Sequence, residues 1–362
     1  MASLSFTSGT SENELPWWNI DAYDYDLPAE YIAQHPAPER DCSRLLVYNG
    51  DSRSITHHVF HELPDMLEAG DALVLNDCRV IPARLYARRS DTGTEVEVLL
   101  TRQREDTVWE AMVKPGRSCR PGTVLDIDNT AITVLDVMDD GQRVLRFECS
   151  LEAIRELLET KGVMPLPPYI ERDRTPSTSE DRERYQTVYA REGRAIAAPT
   201  AGLHFTHELL ERLTAAGITM AMVRLDVGIG TFQPVKTNDL RQHHMHEEYC
   251  QLPGETAEQL NDIRARGSRI IVVGTTSLRV LESSLDPEGY YKAFEGATDI
   301  FIHPPNHIRS ADGLITNFHL PKSTLLMLVA AWTGGTEWRR IYEAAIHEGY
   351  RFYSYGDSML LL

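Results

Sequence analysis

The chain has 362 residues, room for about two to three domains at roughly 150 residues each, and its 42% apolar and 25% charged residues match folded globular proteins rather than disordered or collagen-like ones. Its longest apolar run, Leu325 to Trp332, is eight residues, far short of the roughly 20 that cross a bilayer; no membrane association is expected, and the first twenty residues lack the pattern of a leader, so cytoplasm is the expected compartment. Thirty-six basic against 54 acidic residues give a net charge of −18, which argues against a general nucleic-acid binder.

Residues 1–20 are rich in Ser, Thr, Glu and Asn without a period and read as a disordered extension. The segment from Leu27 to Leu75 ends in DALVLN, a buried strand. From Thr94 to Cys149 the apolar period is two, in short runs separated by Asp91-Thr92-Gly93, Arg104-Glu105-Asp106, Lys114-Pro115-Gly116 and Asp139-Asp140-Gly141. Five or so consecutive strands with no helical pattern between them predict a small antiparallel barrel or sandwich. Residues 79–120 hold nine Lys or Arg against six acids, a local basic stretch on an acidic chain. Here Arg79, Arg84 and Lys114 are candidate phosphate contacts, although exposed arginines are ordinarily just solvated.

Beyond Ser150 the period becomes helical. LEAIRELLET and HELLERLTAAG end in the basic and glycine signals of a C-terminus. Strand-like ITMAMVRLDV, RIIVVGTT and TDIFI then alternate with helices such as ETAEQLNDIRARG. Residues 171–194, with six Arg and six acids, read as a long surface loop. The expected fold is an α/β domain, a mixed sheet with flanking helices formed by residues 21–75 and 151–362. It is interrupted by a β-barrel domain inserted at 76–150. Five cysteines, an odd number spaced 30 residues or more apart, point to reduced thiols.

Chemistry concentrates at strand-to-helix junctions. Gly274-Thr275-Thr276-Ser277 follows a buried strand and opens a helix carrying Arg279, an arrangement suited to a carboxylate or phosphate. The same residues could equally be helix caps. Thr200-Ala201-Gly202-Leu203-His204 reads as a tight turn, and Asn317-Phe318-His319 lies at another junction. A single such histidine is more often structural than catalytic, but junctions at one sheet edge line one crevice. His243-His244-Met245-His246-Glu247-Glu248 could bind a metal, yet lacks HExxH spacing, and a solvated polar turn explains it as well. Tyr350 to Met359 is either a core strand or an aromatic wall beside a cation or base.

Read in order from Tyr25 to Met359, the blocks PAPERDCSRLLV, LNDCRVIPARL, MPLPPYI, RYQTVYA, APTAGLHF, VGIGTFQPV, HHMHEEY, VGTTSLR, TNFHLPKSTLLMLV and YRFYSYGDSM resemble the S-adenosylmethionine:tRNA ribosyltransferase-isomerase family of queuosine biosynthesis. The resemblance implies transfer and isomerisation of the ribosyl group of S-adenosylmethionine onto 7-aminomethyl-7-deazaguanine in tRNA with a GUN anticodon. Epoxyqueuosine would form, with release of adenine and methionine. S-adenosylmethionine is consumed as a substrate, so no cofactor and no metal are implied, and a monomer is expected. On this reading His204, His319, Asp357 and Asp226 are catalytic candidates. Thr200, Gly202, Gly274, Thr275, Thr276, Ser277, Arg279, Asn317, Phe318 and Tyr355 are candidates for binding S-adenosylmethionine, with Tyr353 a further aromatic near the sulfonium. Asp226 stands where the family commonly has His, Ile302-His303-Pro304-Pro305-Asn306 replaces a Tyr-Pro-Gly turn, and Gln242 replaces an Asp. The alternatives are a non-catalytic RNA-binding paralogue and a methyltransferase, the latter lacking its glycine-rich motif.

Overall fold

The computed structural model describes residues 15–172, 179–228, 230 and 235–362. In chain order, the hairpin β1 (Arg44–Asn49) and β2 (Ser54–Val59) precedes β3 (Ala72–Asn76) and the short β4 (Cys78–Val80). Six strands follow: β5 (Arg84–Arg89), β6 (Glu95–Gln103), β7 (Val108–Lys114), β8 (Val124–Ile127), β9 (Thr130–Val137) and β10 (Arg143–Phe147). Next come α1 (Leu151–Lys161), α2 (Ser179–Arg184), β11 (Glu192–Ala195), α3 (His207–Ala215), β12 (Thr219–Leu225), β13 (Glu248–Leu252) and α4 (Gly254–Ala265). The chain closes with β14 (Ile270–Val273), α5 (Gly274–Ser284), β15 (Phe294–Thr298), β16 (Gly313–Asn317), α6 (Thr324–Trp332), α7 (Glu337–His347) and β17 (Ser358–Leu361).

β5 to β10 form a closed antiparallel barrel in the order β10-β7-β6-β5-β8-β9. The period of two in the sequence is its inside-outside alternation: Leu85, Ala87, Val96, Val98, Leu100, Leu125, Ile132, Val134 and Leu145 fill the interior. α1, capped by Ser150 Oγ accepting from Ala153 N at 3.3 Å, packs Ile154, Leu157 and Leu158 into the same cluster. Closure satisfies every strand edge, which explains why so small a β-unit needs no covering sheet.

The other strands, apart from β4 and β11, build a nine-stranded mixed sheet, β15-β13-β12-β3-β14-β16-β17-β1-β2. It draws β1 to β3 from before the barrel and β12 to β17 from after it. β12, β3, β14 and β16 run parallel, and every residue of β3, β14 and β16 is buried, as expected of strands covered on both faces. On one face Leu73, Leu75, Ile271 and Val273 meet Phe60, Phe205, Leu209 and Leu213. On the other, Val74, Val223, Val272 and Leu314 meet helical residues including Leu260, Leu278, Met327 and Ile341. Four parallel strands thus end together at Leu225, Asn76, Val273 and Asn317, the edge where open α/β sheets bind ligands.

Four expectations need correction or limits. The strand read at TDIFI lies earlier, at Phe294–Thr298, because pairing with β13 ends at Thr298 opposite Glu248. Tyr350 to Gly356 is irregular and β17 begins at Ser358. The loop at 171–194 contains α2 and β11, and Tyr185 within it is fully buried; residues 173–178 lie outside the described residues. Within the expected extension, residues 1–14 lie outside the described residues, as do 229 and 231–234 of the VGIGTFQPV block. Trp17, Asn19 and Ile20 are instead tied down: Trp17 stacks on His303 at 4.7 Å, Asn19 bridges Asp239 and Ile20 is buried.

Candidate active site

A cavity of about 950 Å³, counting its open mouth, lies at that sheet edge, within the size range of ligand pockets. α5 starts directly after β14 with no loop between. This requires Gly274 at φ +88, a conformation side-chain-bearing residues rarely adopt. Gly274, Thr275 and Thr276 line the cavity, and the Oγ1 of Thr276 is buried without a partner among the described residues. Ser277 instead donates back to Val273 O at 2.8 Å and faces away. One turn on, Arg279 is buried and held by Glu248 at the start of β13 through Nη1 and Oε2. Glu248 Oε1 accepts from Gly228 N at 2.7 Å. Arg279 Nη2 has no partner among the described residues, so a guanidinium and a hydroxyl converge near a helix N-terminus, a combination that favours an anion.

The end of β16 supplies Asn317, Phe318 and His319, all lining the cavity. His319 is fixed through its backbone, whose N–H donates to Tyr342 OH at 3.0 Å and whose carbonyl accepts from Tyr25 OH at 2.5 Å. Its Nε2 shares a hydrogen bond with Thr316 Oγ1 at 2.9 Å, and no bond to Nδ1 occurs among the described residues. His204, at the end of the turn Thr200–His204, lies behind Asn317: Nδ1 meets Ser43 Oγ at 2.7 Å and Nε2 meets Asn317 Nδ2 at 3.2 Å. Burial pushes both imidazoles down to about 3, because a charged ring there would lose its hydration. Both are neutral at working pH, but only His319 faces the cavity.

An aromatic wall closes the other side. Tyr169 and Tyr353 stack with centroids 4.5 Å apart, and Tyr185 and Ser354 join them at the cavity surface. Tyr169 OH bonds Ser354 Oγ at 2.5 Å. Tyr353 has φ +73, strain of the kind that accumulates at ligand sites; its N–H donates to Phe318 O at 3.1 Å and its carbonyl accepts from Asn317 Nδ2 at 3.1 Å.

Of the other sequence candidates, Thr200 lines the cavity, whereas Gly202 does not: a Cβ there would lie 2.1 Å from Tyr189 OH, so its role is close packing. Asp357 is a clamp, accepting from Arg44 N at 2.9 Å and Arg351 N at 2.8 Å, and Tyr355 sits edge-on behind Tyr185. Asp226 faces β11, accepting from Arg194 N at 3.2 Å, and burial raises its pKa. Arg79 and Lys114 are exposed, but Arg84 is half-buried and paired with Glu97 at 3.3 Å. In the His-rich stretch, His243 packs edge-on against Phe301 and Glu248 serves Arg279. Among the described residues the grouping with metal-ligand geometry is instead Glu39, Asp41 and Cys42, an exposed acidic turn. Sequence reasoning missed Glu248 as a partner for Arg279 and Tyr169, Tyr185 and Ser354 as cavity wall. The aromatic blocks MPLPPYI and RYQTVYA were the available signal.

Comparison with known proteins agrees with this architecture. The family described as "Queuosine biosynthesis protein" matches residues 20–361. Proteins named S-adenosylmethionine:tRNA ribosyltransferase-isomerase from Desulfitobacterium hafniense and Symbiobacterium thermophilum are 46% and 48% identical, each covering 95% of this chain and 99% of the relative. The crystal structure of an S-adenosylmethionine tRNA ribosyltransferase from Thermotoga maritima superposes with a TM-score of 0.54 and 38% identity, covering 94% of this chain and 99% of that one. A match running from Ile20 almost to the last residue, at close to half identity over both halves of the sheet and the barrel between them, places the chain in the queuosine biosynthesis protein family.

Proposed function

We propose that this chain transfers and isomerises the ribosyl group of S-adenosylmethionine onto 7-aminomethyl-7-deazaguanine in tRNA bearing a GUN anticodon. Epoxyqueuosine forms, and adenine and methionine leave. The enzyme acts as a cytoplasmic monomer and consumes S-adenosylmethionine as a substrate, with no metal or separate cofactor. Family membership supports the reaction. The observation that carries the site is one cavity joining an anion-binding end, an aromatic wall and a neutral histidine.

The methionyl carboxylate meets Arg279 Nη2 and Thr276 Oγ1, two buried cavity donors without a partner among the described residues. The sulfonium, a cation, lies against Tyr353 and Tyr169, whose ring faces attract positive charge. His319 takes the proton acidified by the adjacent sulfonium. Its neutral ring lines the cavity, and a group must be deprotonated and within reach to act as a base. His204 has both ring nitrogens engaged, and Asp226 and Asp357 bond to backbone N–H groups outside the cavity lining. None of these three carries the proton on this reading. For tRNA, Arg79 and Lys114 contribute phosphate contacts, and Arg84, already paired with Glu97, contributes less.

The test is to incubate the protein with S-adenosylmethionine and tRNA carrying the aminomethyl-deazaguanine, following free adenine and nucleoside mass together. Adenine rising in step with epoxyqueuosine is expected. Bound but unmodified tRNA, or a methylated nucleoside without adenine, overturns the proposal.

A further inference from the structure

Five buried polar atoms of cavity-lining residues have no hydrogen-bond partner among the described residues: Thr276 Oγ1, Arg279 Nη2 and Asn317 Oδ1 at the sheet edge, and the hydroxyls of Tyr185 and Tyr353 in the aromatic wall. Leaving such atoms unpaired is costly unless a ligand satisfies them. Of the three at the sheet edge, the first two donate and the third only accepts. β14 and β16 are neighbours with Val273 opposite Ile315, so the start of α5 and Asn317 leave adjacent strands at one edge. Donors beside an acceptor complement a carboxylate beside an ammonium.

The direction of the Asn317 amide is fixed by what lies behind it. Its Nδ2 faces three acceptors: Tyr353 O at 3.1 Å, His204 Nε2 at 3.2 Å and Asp357 O at 3.4 Å. His204 is an acceptor there because its proton sits on Nδ1, donating to Ser43 Oγ at 2.7 Å, while the Ser43 hydroxyl donates to Arg40 O at 3.2 Å. The chain of donors therefore runs Asn317 to His204 to Ser43 to Arg40. Rotating the amide would set Oδ1 against all three acceptors and remove it from the cavity. Phe60 stacks on the His204 ring with centroids 5.0 Å apart, which holds the ring in plane for both bonds.

We propose that Asn317 Oδ1 receives the α-ammonium of S-adenosylmethionine while Thr276 and Arg279 take its carboxylate, and that His204 is the positioning residue that keeps the amide in this direction. The proposal rests on the cavity being the S-adenosylmethionine site. It turns His204 from a proton carrier into a determinant of amino-acid recognition.

The test compares two ligands by calorimetry: S-adenosylhomocysteine, which keeps the amino-acid tail, and 5′-methylthioadenosine, which lacks it. Asn317→Ala and His204→Ala weaken S-adenosylhomocysteine by about tenfold or more, the size of a lost charge-assisted hydrogen bond. They shift 5′-methylthioadenosine by less than about threefold. His204→Gln, whose carbonyl can accept from Asn317, restores the first affinity to within about threefold of wild type. Ser43→Ala, which frees the imidazole tautomer, gives a smaller loss confined to S-adenosylhomocysteine. Equal losses for both ligands, or an unchanged affinity for S-adenosylhomocysteine in Asn317→Ala, overturn the proposal. Wild-type protein binding neither ligand would instead overturn the reading of the cavity, and this inference with it.

Discussion

Removing the carboxylate that holds Arg279 should damage both the fold and the site, by an amount that can be worked from the structure. Glu248 and Arg279 are only 5% and 7% exposed. Glu248→Ala strands the guanidinium with Ile300 O at 3.4 Å as its remaining named partner, a loss of about 3–5 kcal/mol for an uncompensated buried charge. It also strips Gly228 N of its acceptor, about 1 kcal/mol more. The sum is a large fraction of the roughly 5–15 kcal/mol that holds a typical domain together. Glu248→Gln keeps one acceptor oxygen but turns an NH2 donor toward either Gly228 N or the guanidinium, so it should still cost about 3 kcal/mol. The double replacement Glu248→Met with Arg279→Met removes both charges and should recover most of the stability, yet bind S-adenosylhomocysteine at least about tenfold more weakly. Urea unfolding followed by far-ultraviolet circular dichroism gives the stabilities. A Glu248→Ala protein within about 1 kcal/mol of wild type, or a double variant as unstable as Glu248→Ala, would refute the reasoning.

His319→Ala should lower turnover by about a hundredfold or more while leaving tRNA affinity unchanged, measured by single-turnover kinetics and filter binding; unchanged turnover removes His319 from the chemistry. Because His204 and His319 are held neutral, with folded values near 3 against about 6.5 unfolded, the unfolded chain binds more protons between those values. The stability they contribute is fully present above about pH 6.5 and is lost as pH falls toward 3. Each should add a slope of about 1.4 kcal/mol per pH unit within that window, and a stability–pH profile of His204→Gln should be flatter by that amount. Arg79→Ala and Lys114→Ala should each reduce the salt dependence of tRNA binding by about one unit of slope, with Arg84→Ala less effective; equal slopes across all variants would remove this surface from the RNA contact.

Much of the architecture was written in local pattern. The barrel strands are short alternating runs cut by turns such as Asp91-Thr92-Gly93, with Gly93 at φ +68, so each strand pairs with a near neighbour in sequence. Ser150 and Gly162 bracket α1 as caps should. Long-range geometry was less legible. Arg279 meets Glu248 across 31 residues, and His204 meets Asn317 across 113, separations that no periodicity encodes. His204 and His319 look alike as junction histidines, but the turn at Thr200–His204 leans on Ser43, and only the three-dimensional crossing decides which ring reaches the cavity. The TDIFI run has strand-like residues but no strand partner beyond Thr298 among the described residues. Trp17 was hidden in a polar segment because the surface that retains it, His303, is almost the whole chain away.

The most direct measurement follows carbon rather than adenine. S-adenosylmethionine labelled with carbon-13 throughout its ribose is supplied with tRNA bearing 7-aminomethyl-7-deazaguanine, and the modified nucleoside is analysed by mass spectrometry. The account predicts that wild-type protein moves the entire ribose label into the nucleoside, and that Arg279→Met, which lacks the carboxylate contact, does so far more slowly. A nucleoside that remains unlabelled, or that gains mass only when the label is in the methyl group, would contradict it.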